Sequence, residues 1–317
     1  MKRLICFALC LVWLGTVPLY ANSAPSYWSA YPYSDVLAVE KDSPIRVDRE
    51  QLTFDFSKPY DDEYFPSPVG RVTAEYQMTN PTEKTLAVQM AFPFVSSLAD
   101  LSVKEISISA DGAAVPYEIF VDPKEVNASG MSEQDFSYNY GSIGDISSRE
   151  WTIPGFSLYS EAKLYRFLVS GREDRNLNLE ISFDADPEQS LLIGKDFGGA
   201  AYSDETGGTL SARIREESET EILVLGTDVE FAYKITDGDK IADQSSYQFE
   251  VLEESVDPKK YLLGAFSREI GAETAGAISD VQLLNLLLDR IWQESRGSGF
   301  TTLFDGISTM YNDRVFT

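Results

Sequence analysis

Val72-Thr73-Ala74-Glu75-Tyr76-Gln77-Met78 sets Val72, Ala74, Tyr76 and Met78 on one side of an extended chain and Thr73, Glu75 and Gln77 on the other. Side chains alternate faces along a strand, so this spacing predicts a β-strand with one buried and one solvated face. Asn80-Pro81-Thr82-Glu83-Lys84 reads as a turn, and Leu86, Val88 and Met90 resume the alternation toward Ala91-Phe92-Pro93-Phe94. A hairpin is therefore expected across 72–90. Upstream, Leu52, Phe54 and Phe56 alternate in the same way.

The same signature recurs outward from this stretch. Residues 103–109 and 115–120 flank Asp111-Gly112, a turn dipeptide, and Asp237-Gly238-Asp239 separates 229–235 from 247–252. Further short runs lie at 165–169, 177–183, 210–214 and 222–225. Many short strands at this spacing predict a mostly β fold, an antiparallel β-sandwich (one large or two small) over residues 45–265. The polar stretches 122–150 and 186–208 read as surface loops.

A helical C-terminal segment is expected over 266–317. Ala272–Ala277 reads as a flexible connector. Ser279-Asp280-Val281-Gln282 has the capping-box pattern, and Val281, Leu284, Leu287, Leu288, Ile291 and Trp292 follow at helical spacing. This α-helix is expected to pack on the sandwich. Arg314-Val315-Phe316-Thr317 reads as the start of a strand with nothing after it, the pattern of a truncated chain.

The N-terminus carries a different message. Met1-Lys2-Arg3 precedes an apolar run over 4–17, and small residues follow at Ala21, Ser23 and Ala24. That is the layout of a secretory signal peptide, taken as 1–23, followed by an extended leader over 24–44. The apolar run is shorter than the ~20 residues of a membrane span, so no stable membrane insertion is expected after cleavage. Both cysteines, Cys6 and Cys10, fall inside this segment. The exported chain therefore has no disulfide to stabilise it, and bacterial export fits that composition best.

Charge narrows the partners. Twenty-six basic against 51 acidic residues leave a net charge of −25. A polyanion such as nucleic acid is repelled by such a surface, as is an anionic lipid surface. A protein or glycan partner at the cell exterior is compatible with it.

Residues 71–94, with Val72-Thr73-Ala74-Glu75-Tyr76 leading through Asn80-Pro81-Thr82 to Ala91-Phe92-Pro93, resemble the N-terminal β-sheet of a group of exported bacterial proteins whose domain has no assigned function. The resemblance implies an extracytoplasmic β domain. It brings no catalytic residue to this chain.

Chemistry is limited by what is missing. The chain has no histidine, so with no exported cysteine it excludes Ser-His-Asp and Cys-His catalysis, thiolate or imidazole zinc sites, and iron–sulfur clusters. Gly194-Lys195 and Gly198-Gly199 lack the spacing of a phosphate loop. Carboxylate pairs remain, and Asp61-Asp62-Glu63 among Tyr60, Tyr64 and Phe65 is the most suggestive cluster for hydrolysis of a polysaccharide. Ser57-Lys58 is a poor Ser–Lys dyad, because neighbours in a strand face opposite ways. Asn127-Ala128-Ser129 fits a glycosylation sequon by chance in a bacterial chain. Calcium prefers clustered oxygens, and Asp237, Asp239 and Asp243 form the candidate calcium site; Asp184, Asp186 and Glu188 form a second set. The expected function is that of an exported, non-catalytic binding or structural protein. The competing expectation is a carboxylate-based polysaccharide hydrolase.

Overall fold

The computed structural model describes residues 37–38, 44–59, 68–87, 90–92, 94–125, 151–171, 176–203, 207–215, 217–312 and 314–316. The expected signal peptide, Asp61–Glu63 and the sequon at Asn127 lie outside these residues. Among the described residues strand (46%) outweighs helix (23%), so the fold is mostly β, with antiparallel sheets and a C-terminal helix, as the sequence patterns predict.

Eight strands come first: β1 (Leu37–Ala38), β2 (Arg46–Pro59), β3 (Pro68–Thr79), β4 (Met90–Ala91), β5 (Phe94–Ser96), β6 (Ser109–Ala110), β7 (Ala113–Ala114) and β8 (Val121–Glu125). The next nine are β9 (Ala162–Gly171), β10 (Leu177–Phe183), β11 (Ser190–Lys195), β12 (Gly199–Ser203), β13 (Gly207–Arg213), β14 (Glu217–Gly226), β15 (Phe231–Asp237), β16 (Lys240–Ile241) and β17 (Tyr247–Val256). Helices α1 (Pro258–Ile270), α2 (Ala272–Ala277) and α3 (Asp280–Ser295) lead to β18 (Phe300–Thr302), α4 (Leu303–Ile307) and β19 (Arg314–Phe316).

Two open five-stranded sheets stack. One has the order β12-β13-β10-β15-β16 and the other β17-β9-β14-β11-β18. All their pairings are antiparallel except β18, which runs parallel to β11. Phe167, Leu192, Ile222 and Val224 of the second sheet meet Leu179, Ile181, Leu210 and Ile235 of the first in one core. On the far side of the second sheet, Leu164, Leu191, Ile193, Leu223 and Leu225 meet Leu262, Phe266, Leu284, Leu287 and Ile291 of the helices. The layers thus run sheet, sheet, helices. In β14, Ile222 and Val224 face one layer while Leu223 and Leu225 face the other, which is why 222–225 is an unbroken apolar run.

The helical layer begins earlier than the composition suggests, at Pro258 rather than 266. The Asp257 carboxylate accepts a hydrogen bond from Lys260 N (3.0 Å), and Pro258 occupies the first turn, where its missing N–H costs nothing. Residues 272–277 form α2 rather than a flexible connector. Helix α3 is buried at Leu283, Leu284, Leu286, Leu287, Leu288 and Ile291, as a helix apolar on most sides requires. Its capping box is only half made. Ser279 accepts from Gln282 N, but Gln282 is itself buried: its Oε1 accepts from Val121 N (2.8 Å) and its Nε2 donates to Ile119 O (3.3 Å). The side chain thus ties β8 to α3.

The first hairpin has a different partner from the expected one. β3 pairs with β2 through Leu52↔Ala74 and Phe54↔Val72, whereas β4 pairs with β1. Alternation fixes which face a residue takes but not which strand lies beside it. The segment 314–316 is β19, the middle strand of a small sheet ordered β5-β19-β8.

Candidate interaction surface

The β2–β3 ribbon forms a two-stranded sheet of its own among the described residues. Its register places Val47, Glu50, Leu52 and Phe54 beside Met78, Tyr76, Ala74 and Val72 on one face. Arg49, Gln51, Thr53 and Asp55 lie beside Gln77, Glu75, Thr73 and Arg71 on the other. One face is thus apolar and the other polar, the pattern of a sheet that covers something on one side. Yet Phe54 and Val72 are 57% and 58% exposed, and Val47 and Met78 are exposed as well. Glu50 is the one charged group on this face, accepting a hydrogen bond from the Tyr76 hydroxyl (3.0 Å). Tyr76 also packs near Phe92, with 5.8 Å between ring centres. At the ribbon's start, hydrogen bonds from Thr79 and Arg46 hold the Asp48 carboxyl below its usual range.

Apart from Asp48, the described ionisable groups with shifted affinities form two clusters on and beside the second sheet. In the first, the buried Glu221 carboxylate receives Arg166 (3.0 Å), Lys195 (3.1 Å) and the Tyr261 hydroxyl (2.9 Å). Burial works against the charge of Glu221, but Lys195, Tyr261 and Arg166 outweigh it and hold the carboxyl below its usual range. Burial likewise pulls Lys195 down, and Asp196 and Glu221 more than reverse it. Burial and the nearby Glu221 carboxylate push the Tyr261 phenol up. In the second cluster, Asp228 accepts from Lys163 (2.5 Å) and from the Tyr165 hydroxyl (2.6 Å), and Glu253 pairs with Lys163 (2.7 Å). Burial and Asp228 push Tyr165 up to about 12. Hydrogen bonds from Lys163 to Asp228 and Glu253 raise Lys163, and Asp228 is lowered despite its burial. Each of these shifts carries its group farther from neutrality.

A small hollow of about 130 Å³ lies between the 151–159 segment and the helices, walled by Trp151, Phe156, Tyr159 and Leu284. Lys259 stands 5.7 Å from the Tyr159 ring centre, and among the described residues no carboxylate lines the hollow. The backbone N–H of Trp151 donates to Asn285 Oδ1 (2.8 Å), which fixes this segment on α3.

The acids singled out for calcium have separate local roles. Asp237 ends β15 and pairs with Lys240 across the turn, and Asp239 lies in that turn. Asp243 caps the short 3-10 turn 244–246 by accepting from Ser245 N (3.0 Å). In the second set, Asp186 accepts from Glu188 N (3.0 Å) and the Gln189 amide (2.7 Å). Among the described residues, no three acids come together as a metal-holding group. The sequence reading passes over Glu221, although its place directly before the apolar run 222–225 is a signal for a buried, paired charge. The openness of the ribbon left no trace in sequence, since its alternation is that of any half-buried strand.

Comparison with protein families, with curated proteins and with solved structures gave no match to this chain. Fold and surface together define an acidic β protein with two stacked five-stranded sheets, a helical third layer and an amphipathic two-stranded ribbon.

Proposed function

We propose that the chain is an exported bacterial protein that binds or supports a protein or glycan at the cell exterior without catalysing a reaction. The observation that carries this reading is the ribbon, whose apolar face is exposed at Phe54 and Val72. A contiguous apolar surface on an otherwise charged protein marks a place of contact. The directions of the shifted groups support the non-catalytic part. General acid–base chemistry near pH 7 needs a carboxyl raised or an amine lowered toward that pH, and Glu221, Asp228, Lys163 and Lys195 are moved the opposite way.

Phe54→Glu with Val72→Glu tests the contact reading. An open face tolerates both changes with little loss of thermal stability and loses binding of a hydrophobic dye. A large loss of stability would mean that the face is covered within the fold, and the reading fails. Incubation with polysaccharides and peptidoglycan tests the rest: new reducing ends that vanish on one Asp→Asn or Glu→Gln change establish the hydrolase instead. Export is checked by the mass of protein from culture medium, expected to lack about 21–24 residues.

A further inference from the structure

The sequence contains three Asp–Gly pairs, Asp111-Gly112, Asp237-Gly238 and Asp305-Gly306. Glycine leaves the following amide nitrogen unshielded, so that nitrogen can attack the aspartyl side-chain carbonyl carbon. The new N–C bond closes a five-membered succinimide, and the carboxyl oxygen leaves as water with the amide proton. Water then opens the ring at either carbonyl, regenerating aspartate or giving isoaspartate, with no other reactant consumed or made. The attack requires the turn to rearrange, so the fold decides which pair reacts.

Asp305 is locked. Its carboxylate accepts from the Thr302 hydroxyl (2.6 Å) and backbone N–H (3.4 Å) in a complete capping box, and Gly306 is buried in α4 against Leu287 and Ile291 of α3. Asp237 is half-held. It pairs with both Leu177 and Lys240, and the attacking nitrogen of Gly238 already donates to Asn176 O (3.2 Å). Asp111 differs on every count. It and Gly112 are exposed and occupy the two-residue turn between β6 and β7, strands of two residues each that are exposed throughout. Asp111 stands at φ +49 and Gly112 at φ +78, and nothing lies within 4 Å of where a Gly112 side chain would begin. A hairpin this short, with no buried side chain in its strands, opens at little cost.

We infer that Asp111-Gly112 is a site of spontaneous isoaspartate formation in the folded protein, while Asp237 and Asp305 are protected by their place in the fold. Isoaspartate adds a methylene to the backbone at the turn, which disturbs the Ala110↔Ala113 and Ser109↔Ala114 pairing and builds up with the molecule's age.

Peptide mapping of the full chain after prolonged incubation at neutral pH and 37 °C tests this, with the same chain in urea as reference. In urea the three pairs react at similar rates. In buffer, Asp111 is expected to react about tenfold or more faster than Asp237 or Asp305, a ratio equal to ~1.4 kcal/mol of extra opening free energy at the protected pairs. Asp111→Glu, which would need a larger ring, should abolish the product at this site alone. Equal rates in buffer at all three pairs overturn the inference, as does protection of Asp111 as strong as that of Asp305.

Discussion

Gln282 shows how much one side chain holds in this molecule. It is buried, and its amide satisfies the N–H of Val121 and the C=O of Ile119, about 160 residues away in sequence. Truncation strands both backbone groups, and each stranded group costs ~1–3 kcal/mol. Gln282→Ala should therefore lower stability by about 2–4 kcal/mol, measured by denaturant unfolding, whereas Gln293→Ala on the exposed side of α3 should change little. The sequence shows Gln282 as a capping residue, and half of that is right. The tie to β8 was not legible, because a pattern in four residues cannot reveal a partner so distant. The shifted groups set two limits in pH. Glu221 is lowered in the fold from the ordinary 4.5, so its contribution is complete above that pH and is lost as pH falls through the lower folded value. Glu221→Gln should flatten the acid limb of a stability–pH curve, at a cost near neutrality of about 1.5–3 kcal/mol for the lost charged hydrogen bonds, because Arg166 keeps Glu219 and Glu254 and Lys195 keeps Asp196. Tyr165 is raised from 10.0 to about 12, so its contribution is complete below pH 10 and disappears as pH rises toward 12. A tyrosinate absorbance titration should show late ionisation that Tyr165→Phe reduces.

Among the elements, β14 and the β2–β3 ribbon make the sharpest contrast. Both are strands rich in apolar residues, but 222–225 is buried on both faces and the ribbon is exposed even on its apolar one. Leu223→Ala should cost about 2–5 kcal/mol, and Phe54→Ala should stay within about 1 kcal/mol, as urea unfolding of each variant will show. The run 222–225 told its own story in sequence, since only a strand between two layers is apolar without alternation. The ribbon's alternation promised a covered face, because the pattern records what a strand is suited to, not what lies against it. Helix α1 was legible in principle from Asp257-Pro258 and the spacing of Leu262, Ala265 and Phe266, but two adjacent lysines broke the apolar stripe at its start. The turn bearing Asp237 and Asp239 is held by strand pairing and Asp243 by its cap, each for backbone reasons. Calcium at these three residues is a proposal with a direct check. Calcium bound there raises the melting temperature beyond NaCl of equal ionic strength, and Asp237→Ala removes the excess. Equal rises in the two salts refute it.

On the scale of the whole molecule, the net charge of −25 acts on every surface at once. Self-repulsion weakens a compact acidic chain, so moderate salt should raise the melting temperature by screening. The rise should level off once the screening length falls to ~3 Å near 1 M. Fold class was legible because it follows from local alternation, whereas β11 and β12, which lie inside the stretch 186–208 read as a surface loop, and helix α1 were missed. The stacking order of the layers was not legible, since it depends on which distant segments meet. The small sheet β5-β19-β8 draws its middle strand from residues 314–316, pairing Phe316 with Phe94 and with Val121. A chain leaving the ribosome delivers 94–125 long before 314–316. Until then β5 and β8 have no strand between them. Phe316 lies about 220 residues after Phe94 and about 200 after Val121, and such distant pairing forms slowly, so β5 and β8 must wait for it. The small sheet thus closes only once β19 has been delivered, and β5 and β8 share no pairing before that moment.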